Sequence, residues 1–430
     1  MVKIEDVAGQ QLTTAEVAWL KLPESILAQG RSVAAITRSG RSARCNRCGS
    51  RFAQHKQLLP NGSVYCPACI AMGRVTDQDR LWYFPAQPAV PKPVQMSWTG
   101  NLTPAQKRVA DELVAAYERG AERLLWAVTG AGKTEMLFGV LERALRDGVR
   151  VAVVSPRIDV ILELAPRIAA AFADVPLAVR YGASGPVPVT QLLLATVHQL
   201  LRYRQAFGLI VVDEVDAFPF STDPMLESAV RNACRGTVLF LTATPGVNLM
   251  RQVKRGQIGV SYLPRRFHGY PLPVPQVTIV PQPTHFGAKQ RAIISRVMRK
   301  CQRMLVFVPS ITALKPVQQA LAAMQIASLT VHAGEPAREE RVRALREGRI
   351  NVLVTTTILE RGVTFYNCGV VVLQADAPIF ATSALVQMAG RAGRSKEHPD
   401  DPVEFVCANY TKTVHAAIKQ IRSLNRRGAR

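Results

Sequence analysis

The chain is short of acid. Its 430 residues carry 31 Asp and Glu against 54 Lys and Arg, a formal charge of +23. A surplus that large favours a polyanionic partner, nucleic acid first and an anionic membrane face second. No uninterrupted apolar run approaches the roughly 18 residues that cross a bilayer, which excludes a membrane-spanning helix. The opening MVKIEDVAGQQL has acidic residues and no apolar centre, so no secretory leader is expected and the cytoplasm is the expected compartment. Short-period repeats and low-complexity tails are also missing. With 48% hydrophobic and 20% charged residues, the composition is that of a globular chain and not a disordered one.

Disulfides are a further expected absence. Four of the eight cysteines form two pairs, Cys45-x2-Cys48 and Cys66-x2-Cys69, with 17 residues between the pairs. Without an export signal, such pairs point to metal ligands and not to bridges. The spacing is that of a four-thiolate zinc site, which is closed and therefore structural; reduced, metal-free cysteines are the alternative. His55 lies between the pairs, but the four cysteines already satisfy the metal. Cys234, Cys301, Cys368 and Cys407 stand in apolar or mixed segments and read as ordinary structural cysteines. Around the module lie Arg31, Arg38, Arg41, Arg44, Arg47, Arg51 and Lys56, with no acid between positions 31 and 56. Some can offset the charge of a zinc tetrathiolate, and the rest can meet phosphates or form a solvated or protein-docking face. Phe52, Tyr65, Trp82, Tyr83 and Phe84 read as core or linker-anchoring aromatics before base-stacking ones.

The stretch PAQPAVPKP at 85–93 holds four prolines; it reads as a stiff linker and forbids a central strand. Beyond it, short apolar runs alternate with amphipathic segments. LLWAV at 124–128, VAVVS at 151–155, LLLAT at 192–196, LIVVDE at 209–214 and VLFLTAT at 238–244 are followed, after PLPVPQ at 271–276, by MLVFVPS at 304–310, INVLVTTT at 350–357 and VVVLQ at 370–374. Such runs predict parallel sheets covered by helices. The expected architecture is α/β: an N-terminal region over 1–95 with the cysteine module near 40–75, then two doubly wound domains over 96–270 and 271–430. The basic end KQIRSLNRRGAR at 419–430 predicts a short helix facing nucleic acid, lipid or water.

AVTGAGKT at 127–134 lies between an apolar strand and a helical run, the context a phosphate-binding loop needs. The backbone of Thr129, Gly130, Ala131 and Gly132 can turn its N–H groups toward phosphate oxygens at a helix N-terminus. Lys133 is placed to reach the β- and γ-phosphates of ATP, and Thr134 to ligate magnesium. The strict pattern begins with Gly, where this chain has Ala127. DEVD at 213–216 follows a strand, where carboxylates gather at ligand sites; Asp213 is a candidate magnesium ligand and Glu214 a candidate general base.

These motifs resemble those of superfamily 2 helicases over about residues 100–410, and the resemblance implies two RecA-like domains. LTPAQ at 102–106 is similar to the segment whose glutamine reads adenine, which implies that role for Gln106. SPRIDV at 155–160 and ATVHQLLR at 195–202 resemble the strand-contacting motifs Ia and Ib, implicating Pro156, Arg157, Thr196 and His198. TATP at 242–245 resembles motif III, which links the ATP state to the strand. VLVTTTILERGVT at 352–364 resembles motif V, implicating Thr355 and Thr356 in strand contact and Gly362 in nucleotide binding. Thr364 stands where that motif usually has an acid. QMAGRAGR at 387–394 resembles motif VI, with Gln387, Arg391 and Arg394 on the γ-phosphate side; an arginine there can neutralise transition-state charge.

DEVDAFPF at 213–220, RFHGYPLPVP at 266–275 and the four-cysteine module narrow the resemblance to the ComFA family of late competence proteins. That resemblance implies an ATPase stimulated by single-stranded DNA and needed to import transforming DNA. It also implies action at the inner face of the membrane channel, beside the phosphoribosyltransferase-like ComFC and the strand loader DprA. Alternatives are an RNA helicase of the DEAD group, against which DEVD and QMAGRAGR argue, a primosome-type DNA helicase, and an ATP-gated clamp that does not move.

Overall fold

A strand covered by helices on both faces has no polar side to show, so every residue along it is apolar and buried. Phe207–Val212, Val151–Ser155 and Leu192–Thr196 are buried at every position, and the only polar side chains among them are Ser155 and Thr196 at the carboxyl ends of their strands. The computed structural model describes residues 2–182, 184, 187–281, 286–360 and 364–428. They fall into two compact units, Met1–Leu125 with Thr134–Ser261 and Trp126–Lys133 with Tyr262–Arg430. The boundary runs through two strands of the first large sheet and through the phosphate loop.

That sheet has seven strands in the order Gly259–Leu263, Arg123–Ala127, Cys234–Thr242, Phe207–Val212, Val151–Ser155, Leu192–Thr196, Leu177–Arg180. Its central pairs are parallel and in register, Leu209 and Leu192 both lying opposite Val151. Each fully buried Val, Leu or Phe there contributes roughly 1.5–3 kcal/mol. Helix Pro104–Glu118 starts cleanly because Thr103 and Gln106 close a capping box and Pro104 presets the first turn.

The N-terminal region is part of the first unit. Gln11–Thr13, Arg80–Tyr83 and Arg31–Ala34 form a small antiparallel sheet over a core of Val7, Leu12, Leu22, Ile26 and Phe84, with Trp82 packed beside it. Ile36–Ser39, Ser42–Cys45 and Arg51–Ala53 form a second antiparallel sheet, which carries the cysteines. Phe84 is thus a core residue, and the half-buried Trp82 packs against that core. The proline stretch has no regular structure; it runs along the end of helix Lys133–Arg146, where the Lys92 N–H donates to the Arg146 carbonyl at 3.0 Å.

The second unit is built on six strands in the order Gln276–Ile279, Val403–Cys407, Cys368–Leu373, Arg303–Phe307, Val352–Thr355, Ser328–Val331, all paired parallel. Ile293, Ile294, Val297, Leu314 and Leu321 cover one face of it. Helix Lys412–Gly428 buries Val414, Ala417, Ile418, Ile421 and Leu424, the helical repeat of a docked amphipathic face. Its Arg427 guanidinium lies 5.3 Å from the Trp126 ring and 5.5 Å from the Tyr262 ring, so part of the basic end is used inside the unit. Among the described residues no helix is long and apolar enough to cross a membrane.

Candidate functional site

In the first unit the candidate site occupies the carboxyl edge of the large sheet. Asp213 continues the strand Phe207–Val212, and its N–H donates to the Val154 carbonyl at 2.7 Å. The chain then turns sharply. Glu214 sits at φ 56°, a left-handed conformation that costs a non-glycine residue of order 1 kcal/mol. Its N–H donates to Asp213 Oδ1 at 2.8 Å, and the Val215 N–H donates to the Leu241 carbonyl at 3.2 Å. Asp213, Glu214 and Asp216 are all buried.

Asp216 is a residue to which the sequence reading gave no role. Its Oδ1 accepts the Thr242 hydroxyl at 2.5 Å and its Oδ2 accepts the Thr244 hydroxyl, while the Thr244 N–H donates back to Thr242 Oγ1 at 2.8 Å. One carboxylate therefore ties DEVD to TATP. The available signal was an acid three residues past Asp213 and two hydroxyls two residues apart in TATP.

Pro156, Arg157, Thr196 and His198 lie on the same edge, since Thr196 is opposite Ser155 in the parallel register. The Arg157 N–H donates to Ser155 Oγ at 3.3 Å. Thr196 precedes the short 3-10 helix Val197–Arg202. Burial pushes the His198 imidazole below its ordinary value, against the charge of Asp223. The N-terminal region packs directly on this helix. Gln11 Nε2 donates to the Leu201 carbonyl at 2.6 Å, the Arg204 N–H donates to the Gly9 carbonyl at 2.9 Å, and Arg202 pairs with Glu16. A cavity of about 540 Å³ opens along this seam, lined in part by Trp19, Met72, Arg180, Tyr181, Gln199 and Arg202. Gln106 is buried, and its Oε1 accepts the Thr103 N–H at 2.8 Å; Thr134, in the first turn of helix Lys133–Arg146, is buried as well.

The second unit holds Thr129–Lys133 together with the motif VI residues. Gly130 and Gly132 sit at φ 80° and 78°, positions that only glycine adopts freely. A Cβ built on Gly130 would lie 3.1 Å from Arg394 Nη1, and one built on Gly390 would lie 2.1 Å from Thr129 Oγ1. Glycine is what lets the loop and the turn approach. Gln387 is buried in helix Thr382–Ala389, and the buried Arg391 donates through Nε to the Glu360 carbonyl at 2.9 Å. Thr355 is fully buried, with its hydroxyl donating to the Thr356 carbonyl at 3.2 Å; Thr356 is half-buried. Gly362 lies outside the described residues.

The four cysteines come together as their spacing predicts. Cys45, Cys48, Cys66 and Cys69 are fully buried. Their sulfurs all lie within 4.8 Å of one another, with 3.8 Å between Cys45 and Cys69 and 3.6 Å between Cys48 and Cys66. A zinc tetrathiolate with Zn–S near 2.3 Å has S···S edges of about 3.8 Å, so the donor set fits zinc. Gly49, at φ 79°, makes the first knuckle, its N–H donating to the Cys45 carbonyl at 2.9 Å. His55 is exposed and outside the cluster. The basic surroundings divide. Arg47 is buried, with Nη1 on the Gly73 carbonyl at 3.2 Å, and Arg38 pairs with Asp77. Arg44 and Arg51 are exposed and directly opposite each other in the antiparallel register, a like-charge arrangement that is unfavourable by itself.

The chain resembles known proteins along most of its length. Residues 7–83 match the competence protein ComFA N-terminal domain, 99–247 the res subunit of type III restriction enzymes, and 288–396 the helicase conserved C-terminal domain. The competence protein ComFA of Bacillus subtilis is 37% identical over 408 residues, covering 92% of this chain and 88% of the relative. ComFA of Streptococcus pneumoniae is 38% identical over 400 residues, covering 89% and 90%. Among solved structures, the Mycobacterium smegmatis helicase Lhr bound to ssDNA and AMP-PNP superposes with a TM-score of 0.55 at 18% identity, over 76% of this chain and 48% of Lhr. The last likeness concerns the fold: two parallel-sheet domains of the RecA-like helicase type.

Proposed function

The chain belongs to the competence protein ComFA family, and from that premise we propose that it is an ATP-driven motor that moves along single-stranded DNA and draws transforming DNA into the cytoplasm. The observation that carries the reading is the Asp216 grip. A carboxylate next to Asp213 and Glu214 holds both hydroxyls of TATP, on the sheet edge that also bears Pro156, Arg157, Thr196 and His198. A change at the acids is thereby a change at the strand-facing edge.

In this reading the backbone of Thr129–Gly132 and the ammonium of Lys133 hold the ATP phosphates, Gln106 meets the adenine, and Gly362 adds a nucleotide contact. Thr134 and Asp213 are the residues that would hold magnesium, which when bound neutralises phosphate charge. Glu214 orients and deprotonates the attacking water. Gln387, Arg391 and Arg394 face the γ-phosphate, where the guanidinium groups meet charge that grows in the transition state. Pro156, Arg157, Thr196, His198, Thr355 and Thr356 contact the strand. Cys45, Cys48, Cys66 and Cys69 hold a structural zinc, with domain limits near 95 and 270. ComFC, DprA and the membrane DNA channel are the proposed neighbours.

The reading is tested by steady-state ATP hydrolysis at one salt concentration, without nucleic acid and with single-stranded DNA, duplex DNA or RNA. Stimulation by single-stranded DNA above the other three supports it. Equal or greater stimulation by RNA moves the protein to RNA remodelling and removes the import reading.

A further inference from the structure

The segment RFHGYPLPVP contains Arg266, which is only 3% exposed although it is charged. It lies within the second unit, as do all of its contacts described below. Nη1 donates to the Ala392 carbonyl at 2.7 Å and also to the Gly393 carbonyl, and Nη2 donates to the Gly390 carbonyl at 3.3 Å. These carbonyls follow the C-terminal end of helix Thr382–Ala389, where backbone oxygens lack partners within the helix and carry partial negative charge. A planar, rigid guanidinium holds three of them in fixed directions through two nitrogens, whereas an ammonium is a single point of donors on a flexible stem.

The same turn is held from two further sides. His268 Nε2 lies 3.1 Å from the Gly393 carbonyl oxygen, and Asp401 Oδ2 accepts the Gly393 N–H at 3.2 Å and the Cys368 N–H at 2.9 Å. Gly393 sits at φ 64°, and a Cβ there would lie 2.2 Å from the Pro399 carbonyl oxygen and 2.9 Å from Arg266 Nη1. The turn is therefore gripped by Arg266, His268 and Asp401; Arg391 lies within it and Arg394 directly follows Gly393. Burial drives the Arg266 guanidinium down to about 9, with Asp401 opposing that shift. A buried cation is costly to keep, so its placement calls for a role that an apolar residue could not fill.

We infer that Arg266 is the positioning residue for Arg391 and Arg394, fixing the direction in which both guanidinium groups leave the turn. The inference rests on the proposed role of those two arginines at the γ-phosphate. Arg266 itself touches neither nucleotide nor strand in this account. Its loss would leave the finger arginines present but wandering, and a misplacement of about 1 Å at a reacting centre can lower a rate about 100-fold.

The test is ATP hydrolysis by the full-length protein, saturated with single-stranded DNA, for Arg266→Gln, Arg266→Lys, Arg394→Ala and the Arg266→Gln/Arg394→Ala double variant. Removing a finger arginine is expected to lower kcat by about 10³-fold. Arg266→Gln is expected to lower kcat at least about tenfold with the KM for ATP within about twofold of the parent, and Arg266→Lys to recover part of that loss. Arg266→Gln should lower kcat by a smaller factor in the Arg394→Ala background than in the parent, because the share of its effect that runs through Arg394 is already gone and only the share through Arg391 remains. A kcat for Arg266→Gln within twofold of the parent, beside an inactive Arg394→Ala, overturns the inference and leaves the finger reading standing. Parental turnover by Arg394→Ala overturns both. If Arg266→Gln does not fold, Arg266→Lys decides by the same split, since a folded variant with parental kcat and KM contradicts the need for the fork.

Discussion

The cysteine module and the first parallel sheet reach stability by opposite routes. The strand Phe207–Val212 is buried at all six positions, and its neighbours Val151–Ser155 and Cys234–Thr242 flank it in the sheet. The module's apolar interior is Ala35, Ile36, Ala43, Val64 and Val75 besides its four buried cysteines, with Arg47 and Ser63 as its buried polar residues. A core that small does not hold a fold without a metal or a comparable staple. One part of the first unit thus rests on apolar area and the other, in the proposed reading, on a metal held by four sulfurs. In the proposed reading this separates what each does: the sheet carries ATP chemistry on its edge, and a zinc held by four thiolates would leave no position for a substrate.

Four experiments press on that contrast, from the largest expected effect downward. Lys133→Ala and Glu214→Gln are each expected to lower ATP turnover by at least about 10³-fold, with zinc content unchanged. Turnover at the parental rate would remove the assignment of the phosphate loop or of the general base. Replacing Cys45 and Cys48 together by Ser is expected to take zinc from one per chain to none and to open residues 30–85 to protease while the parallel sheets stay resistant. A parental metal content would show that the sulfurs hold no zinc. Arg44→Ala and Arg51→Ala, on the exposed face of the module, should each reduce the slope of log affinity against log salt for single-stranded DNA by about 0.7. Unchanged slopes would make that face a solvated one.

The smallest effect is in acid and has opposite signs in the two units. Burial pushes Glu112 of the first unit up, but hydrogen bonds from Ser261, Arg123 and Arg108 outweigh it and hold the carboxyl below its ordinary 4.5. Its contribution is present above 4.5 and is lost as pH falls through the folded value. Burial pushes Glu404 of the second unit above 4.5, against the opposing charge of Arg296. That contribution is present below 4.5 and is lost as pH rises through the folded value. Between pH 6 and the acid limb, the urea midpoint of the parent relative to Glu112→Gln should fall, and relative to Glu404→Gln it should rise. Slopes of the same sign would contradict the account of the two carboxyls.

Much of this was legible in the residues because the signals were local. Two glycines in GAGK announced two left-handed positions, and unbroken apolar runs announced strands buried on both faces. CxxC twice, at 17 residues' separation, announced one cluster. What was hidden depended on which strands become neighbours. Asp216 reaches Thr242 and Thr244 only because Phe207–Val212 and Cys234–Thr242 lie side by side in the parallel sheet. Arg266 meets a turn about 125 residues away, and nothing in RFHGYPLPVP points to it. Arg47 stood among six other basic residues with nothing to mark it as the buried one. Thr103 and Gln106 carry a local signal, the T-x-x-Q of a capping box, within the same segment that resembles the adenine-reading motif. Thr355 reads in sequence like its neighbour Thr356, yet the end of a central strand buries one and half-exposes the other.

The central claim is movement, and it is tested most directly by displacement of streptavidin from biotin at either end of a single-stranded DNA. The account predicts ATP-dependent displacement from one end only, faster than spontaneous release and absent with Glu214→Gln. ATP hydrolysis stimulated by the same DNA, with no displacement from either end, would contradict it and make the protein an ATP-gated clamp.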